Sequence, residues 1–371
     1  MASLRQIHVG GFASLRDVDL DVGRVNVLIG GNGAGKSNLV MLLRMLKAIY
    51  IEGFQRFVAE AGGANSLLHY GAKTTPEMDV VLGFEADNGH ATYSVQLAAA
   101  APDRLVFADE TVDWCRMEDG SPESRSLGVG HPETQLGVAE GAGCRAAYFL
   151  RRRLDGLCAY HFHDTSRFAA IRTKRYIRDE FELRSDGSNL APFLRKLEIA
   201  RPEYYRRIVE TIRQVAPHFG DFYLEPDPAN RNNNMLNWIE AGTRYLFGPH
   251  QLPDGLLRFM ALATLLLEPS DDVYHPSLIV IDEPELGLHP FALNILASLI
   301  RKASVHSQII LATHSVRLVD QFQPEDIITV TRENGASVFR RLDSGGLAEW
   351  LKDYSLGELW EKNVIGGRPS R

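Results

Sequence analysis

Ser37 and Asp282 each follow or end an apolar, strand-like segment, and the 245 residues between them constrain the fold more than either motif does alone. The first segment, Val25-Asn-Val-Leu-Ile29, runs into Gly30-Gly-Asn-Gly-Ala-Gly-Lys36-Ser37, a Walker A pattern. Residues 37–51 follow, with Leu39, Leu42, Leu43 and Leu46 on one helical stripe. A strand, a glycine loop and a helix in that order let backbone N–H groups wrap phosphates while the helix start adds favourable partial charge. The second segment, Leu278-Ile-Val-Ile-Asp282-Glu283, ends in two carboxylates. Compact P-loop proteins keep these halves closer, so the gap predicts an α/β P-loop NTPase with material inserted between two lobes.

Gly30, Asn32, Gly33, Ala34, Gly35, Lys36, Ser37 and Asn38 form the candidate nucleotide site. Lys36 is expected to reach the β/γ oxygens of ATP, and Ser37 and Asp282 to ligate Mg²⁺. Glu283, directly after Asp282, is suited to orient and deprotonate an attacking water. Thr313-His314-Ser315 follows a third buried strand, Ile309-Ile-Leu-Ala312, where a neutral His314 imidazole could sense the γ-phosphate. Glu283 and His314 are therefore the catalytic candidates. Leu252-Pro-Asp-Gly-Leu-Leu-Arg258 opens an apolar helix whose start, at Asp254 and Gly255, could present N–H groups to a phosphate. Its own nucleotide is expected to lie too far away, so the motif predicts a homodimer or larger assembly with ATP between subunits. A turn with proline near the start of a core helix is the alternative.

Residues 1–30 alternate apolar and polar positions, and 77–114 read as an antiparallel meander, with a turn signal at Asp87-Asn-Gly89. Glycine, proline and small polar residues between Gly120 and Gly143 predict a loop. A helix over 146–157, a strand over 159–162 and helices over 189–199 and 202–215 come next, followed by strands near 222–224 and 236–247 and a helix over 255–268. Beyond 278, strands and helices alternate. The expected units are 1–119, an N-terminal lobe; 120–218, a loop and basic helical insertion; and 219–371, a C-terminal lobe.

Charge bears on partners. Residues 145–213 hold 16 Lys/Arg against 9 Asp/Glu, a net of +7, which leaves −14 for the rest of a chain whose formal charge is −7. A phosphate-facing surface for nucleic acid and a solvated, ion-paired face both fit; without interleaved aromatics for base stacking, the solvated face is favoured. His161-Phe-His163-Asp164 invites a metal reading, but no further ligand cluster accompanies it, so a structural or interface role is expected. Cys115, Cys144 and Cys158 have no paired spacing and read as reduced packing residues. The start lacks an apolar signal core, and the longest apolar run, 259–267, is short of the ~20 residues of a membrane span, so a cytoplasmic protein without membrane attachment is expected.

Together these residues resemble the RecF/SMC-like branch of ABC-type ATPases, including standalone RecF-like ATPases and the ATPase half of OLD-family nucleases. The carriers are 11–18 (Gly-Phe-Ala-Ser-Leu-Arg-Asp-Val), Gly30 to Asn38, Tyr160 to Ser166, Leu252 to Arg258, Asp282 to Pro290, Thr313 to Ser315, and Leu356-Gly-Glu-Leu-Trp360 with Gly366-Gly-Arg-Pro369. The resemblance implies an ABC/SMC-type ATPase head with a mixed sheet, an antiparallel β meander and a helical insertion. It also implies that 285–290 is the D-loop coupling two sites across a dimer, and that the chain is an ATP-gated switch for a DNA-processing or antiphage-defence effector. A DNA-binding clamp without an effector and, last, a transporter subunit are the rival readings. Two departures stand out. The signature loop of the family begins with a serine, whereas Pro253 has neither hydroxyl nor N–H, and no Q-loop glutamine is evident, with His69 or Lys73 in the matching region. Hydrolysis is accordingly expected to be slow or partner-dependent. Only 57 residues follow His314, and Glu325, Asp326 and Asp343 form no acidic cluster for metal-dependent cleavage, so a nuclease-type effector is expected on a separate chain, with DNA as a further candidate partner.

Overall fold

The computed structural model describes residues 3–86, 89–116 and 122–367. The chain opens with a hairpin, β1 (Ser3–Phe12) and β2 (Leu15–Asp21), then β3 (Val25–Gly30) and α1 (Lys36–Tyr50). Short helices α2 (Phe54–Glu60) and α3 (Ala64–Leu67) lead to β4 (Glu77–Ala86), β5 (Gly89–Ala100), β6 (Arg104–Arg116) and β7 (Pro122–Gly128). Next come α4 (Leu136–Gly141), α5 (Arg145–Asp155), β8 (Leu157–Tyr160), β9 (Arg175–Tyr176), α6 (Leu190–Ala200) and α7 (Pro202–Val215). Four short strands follow, β10 (Phe219–Tyr223), β11 (Asn233–Asn234), β12 (Asn237–Glu240) and β13 (Leu246–Phe247). The last part holds α8 (Asp254–Leu266), β14 (Leu278–Asp282), α9 (Pro290–Ala303), β15 (Gln308–Thr313), α10 (Val316–Val319), β16 (Ile327–Glu333), β17 (Ala336–Arg341), α11 (Ser344–Leu347) and α12 (Leu356–Glu361).

Two six-stranded sheets organise these elements. The first is antiparallel, in the order β2-β1-β4-β5-β6-β7; the second runs β17-β16-β3-β15-β14-β8 and is parallel except at β17. The near-continuous apolar runs of β3, β14 and β15 follow from burial on both faces. Val27, Ile29, Ile279, Ile281, Ile309 and Leu311 face a core shared with α6 to α9. Leu28, Leu278, Val280, Ile310 and Ala312 face a second core shared with α1 and the antiparallel sheet. Helix α1 lies in that second core, its Leu39, Leu42, Leu43 and Leu46 fully buried. This is the mixed P-loop arrangement expected from the sequence, meander included.

The stretch expected to be a loop, 120–143, contains β7, which pairs with β6, and α4. Its polar, glycine-rich composition hid them because the following turn is pinned from a distance. Buried Glu110 accepts hydrogen bonds from the Gln135 N–H at 2.8 Å, from the Thr134 hydroxyl and from the Tyr93 hydroxyl at 2.7 Å. Within 120–218, β8 is the edge strand of the parallel sheet, paired with β14, and α5 packs in the second core. The Asp87-Asn88 part of one turn signal, Gly120 and the Arg368-Pro369 part of the C-terminal motif lie outside the described residues. No helix among the described residues is long and apolar enough to cross a membrane.

Folding also redistributes the charge asymmetry. Seven cations of the 145–213 segment form ion pairs: Arg151, Arg172, Lys174, Arg184, Arg195, Lys196 and Arg201. Six of their partners, Glu140, Asp254, Asp227, Glu225, Asp272 and Asp271, come from outside the segment. Six of the sixteen cations of the basic run are thus paired with acidic residues elsewhere in the chain.

Candidate functional site

The parallel sheet closes the 245-residue gap between Ser37 and Asp282. β15 lies between β3 and β14, with Thr313 in register with Ile29 and Asp282 with Ala312. The Walker A loop, His314 and Asp282-Glu283 therefore leave adjacent strands at one carboxyl edge, where open α/β sheets bind ligands. Two strand spacings, roughly 10 Å, replace the separation in sequence.

The Walker A loop is braced from below. The Lys36 ammonium donates to the Gly30 carbonyl at 2.7 Å and the Gly31 carbonyl at 3.2 Å. The Ser14 and Ser337 hydroxyls lie 2.6 Å apart; Asn38 Nδ2 donates to Ser14, and the Ser337 hydroxyl donates to the Ala34 carbonyl, each at 2.6 Å. Gly35, at φ 117°, starts α1 where a Cβ would fall 1.9 Å from Ser337 Oγ, so glycine is required on two grounds. Asn32, Gly33 and Ser37 are exposed on the open side of this loop.

Asp282 and Glu283 differ in setting although adjacent. Burial pushes the Asp282 carboxyl above its ordinary range, with His163, Lys36 and His314 opposing. Desolvation lowers the Lys36 pKa, while Asp282, Glu283 and Glu285 resist that fall. Glu283 takes φ 44°, a left-handed conformation costly for a side chain with a Cβ, and its N–H donates to the Ala312 carbonyl at 2.8 Å. This turn leaves Glu283 half-exposed, with Oε1 3.9 Å from His314 Nε2. Glu285 Oε1 accepts from the His314 N–H at 2.7 Å, while its other oxygen is buried without a hydrogen-bond partner among the described residues.

Two supporting residues were not expected at the site. His163, three residues past β8, bonds through Nε2 to the Asp282 carbonyl at 2.8 Å. His163 thereby supports the backbone at Asp282, whereas His161 Nδ1 is buried without a hydrogen-bond partner among the described residues. Arg258 of α8 donates to the carbonyls of Phe162, His163 and Leu286 at 3.1, 2.8 and 3.2 Å, joining the signature-like helix, the His163 segment and the 283–290 loop. The apolar start of α8 gave no sign of that reach, because all three acceptors are backbone groups distant in sequence.

The signature-like motif packs on the loop after Asp282-Glu283. A Cβ on Gly255 would lie 2.0 Å from the Gly287 carbonyl oxygen, so glycine there permits close packing of α8 on the 283–290 loop. Asp254 is paired with Arg172, 2.6 Å away. His69 is buried beside the Ala13 carbonyl, which its Nδ1 contacts, whereas Lys73 is exposed.

The fold so defined is that of an SMC-type ATPase head. An SMC head bound to the C-winged helix domain of ScpA superposes with a TM-score of 0.61 at 16% identity, covering 92% of this chain and 99% of that one. The Pyrococcus furiosus SMC head, with an extended coiled coil and bound to the C-terminal domain of ScpA, gives 0.60 at 14%, covering 95% and 99%. Residues 151–320 match the family model described as an AAA domain, putative AbiEii toxin, type IV toxin–antitoxin system. An OLD nuclease of Thermus scotoductus is 22% identical over 376 residues, 95% of this chain and 67% of the relative. The Old nuclease of Escherichia phage P2 is 33% identical over 95 residues, 25% of this chain and 16% of the relative. The chain is thus similar in fold to SMC heads and, at low identity along most of its length, in sequence to an OLD nuclease.

Proposed function

We propose that this protein binds and hydrolyses ATP, closes two copies around the nucleotide, and thereby switches a DNA-processing or antiphage-defence effector carried on a separate chain. The observation that carries the ATPase part is the meeting of Lys36, Asp282, Glu283 and His314 at the ends of β3, β14 and β15. The donor set fits Mg-ATP: an exposed Ser37 hydroxyl and the Asp282 carboxylate are hard oxygen ligands, and the glycine loop offers backbone N–H groups with Lys36 beneath it. Mg²⁺ held there would neutralise phosphate charge. Glu283 positions and takes a proton from the attacking water, while His314, fixed through its N–H by Glu285, contacts the γ-phosphate. The effector part draws support from the likeness to two OLD nucleases and to SMC heads bound to a winged-helix domain.

Titration with a fluorescent ATP analogue in Mg²⁺, followed by phosphate release, tests the core of this reading. Wild type should saturate and release phosphate, slowly when alone, and Lys36→Ala should lose at least tenfold in affinity. Equal affinity in both would refute the assigned nucleotide site.

A further inference from the structure

The signature-like loop lacks a serine, but the cleft beside it is not short of phosphate-seeking groups. An open cleft of roughly 570 Å³ is lined by Thr165, Ser166, Arg167, Arg172, His250 and the Leu252-Pro-Asp254 start of α8. Arg172 is 3% exposed and holds the cleft together: it donates to the carbonyls of Thr165 at 2.9 Å, Leu252 at 3.1 Å and Pro249, and to Asp254. That pairing neutralises Asp254, the carboxylate that would otherwise repel an anion. Ser166 and Arg167 are exposed, and Arg167 makes no ion pair among the described residues, unlike Arg151 before it and Arg172 after it in the segment. The turn that presents them is fixed, with the Ser166 N–H donating to Asp164 at 3.0 Å and the Ala169 N–H to the Ser166 carbonyl at 3.0 Å. Phe168, next to Arg167, is 87% exposed, an apolar side chain placed to be covered when another surface arrives.

We propose that this cleft receives the terminal phosphate of ATP held on the Walker A loop of a second copy, with Arg167 supplying the charge and Ser166 the hydroxyl that Pro253 cannot. The inference rests on the ATP-sandwiched dimer proposed above. A guanidinium is suited to the task because its donors match phosphate oxygens two at a time. The segment 161–167 then serves both composite sites: His163 supports Asp282 of its own chain, and Arg167, four residues on, meets the nucleotide of the other.

Two measurements on the full-length chain test this. In a Glu283→Gln background with ATP and Mg²⁺, adding Arg167→Ala should leave ATP-analogue binding to the monomer unchanged and raise the concentration for half-dimerisation at least tenfold, with Arg167→Lys intermediate. Dimerisation of Glu283→Gln that Arg167→Ala leaves untouched overturns the inference alone; absence of any ATP-dependent dimer overturns the underlying reading with it. Second, an equimolar mixture of Lys36→Ala and Arg167→Ala chains should recover phosphate release that neither has by itself, because one intact composite site forms only when Arg167 acts across the interface. No recovery in the mixture contradicts an action in trans.

Discussion

The Walker A loop and the start of α8, the two stretches that the sequence marks as phosphate-facing candidates, are held in different ways. Hydroxyls and one buried ammonium brace the first: Ser14 and Ser337, with Lys36 donating to the Gly30 and Gly31 carbonyls. A buried guanidinium holds the second: Arg172 donates to the Thr165 and Leu252 carbonyls and pairs with Asp254 at the start of α8, while the Glu268 carboxyl, just past the helix end, is buried without a hydrogen-bond partner among the described residues. The hydroxyl contacts carry no net charge, so in the first region only the Lys36 contacts depend on a charged group. Arg172 gathers three carbonyls and one carboxylate on a single side chain, so the start of α8 depends on one residue where the Walker A loop depends on several.

Removing the anchor of that half should have the largest effect. Arg172→Met leaves the Thr165, Pro249 and Leu252 carbonyls without their donor and frees Asp254. A loss of about 4 kcal/mol is expected in denaturant unfolding, with dimerisation lost before monomer ATP binding. A variant as stable as wild type would place the anchor elsewhere.

Glu268 gives the next effect. Burial raises its carboxyl to about 8, with Asp272 and Glu182 adding to the rise and Lys196 opposing. Its folded-state pKa exceeds the unfolded one, so the folded chain binds the extra proton between pH ~4.5 and ~8, and stability falls as pH rises through that window, by on the order of 1 kcal/mol per unit. Glu268→Gln should abolish that slope, read as thermal midpoints at pH 5 and pH 8 that differ less than in wild type. An unchanged slope assigns the pH dependence to other groups.

Gly255→Ala is the smallest of the three. A methyl 2.0 Å from the Gly287 carbonyl oxygen must push the 283–290 loop away from α8. About 2 kcal/mol of overpacking is expected, with phosphate release falling more than ATP binding because Glu283 and Glu285 lie on the displaced loop. Equal losses in binding and turnover would mean that the loop does not pass the strain to the site.

The same contrast explains what could be read in the sequence. Gly30 to Asn38, Asp282-Glu283 and His314 were legible because each is fixed by local order: an apolar strand, then a polar residue at its carboxyl end. The α/β class followed from the strand–helix alternation beyond 278, and the meander from the strand-like runs and turn signals over 77–114. His163 and Arg258 were not legible in their supporting roles, since both act on backbone carbonyls that only the fold brings near. β7 and α4 were missed because the buried carboxylate of Glu110 orders the adjoining turn from a different strand. The basic run over 145–213 looked like a surface and proved to be, for six of its cations, one half of long-range pairing.

The claim that ATP joins two copies of this chain is tested most directly by light scattering of Glu283→Gln at saturating ATP in Mg²⁺. Binding without turnover should hold the closed state, giving a mass of twice the 41.3 kDa chain that returns to one chain when Lys36→Ala is added. A Glu283→Gln protein that binds ATP and stays at the mass of a single chain at every accessible concentration would contradict it.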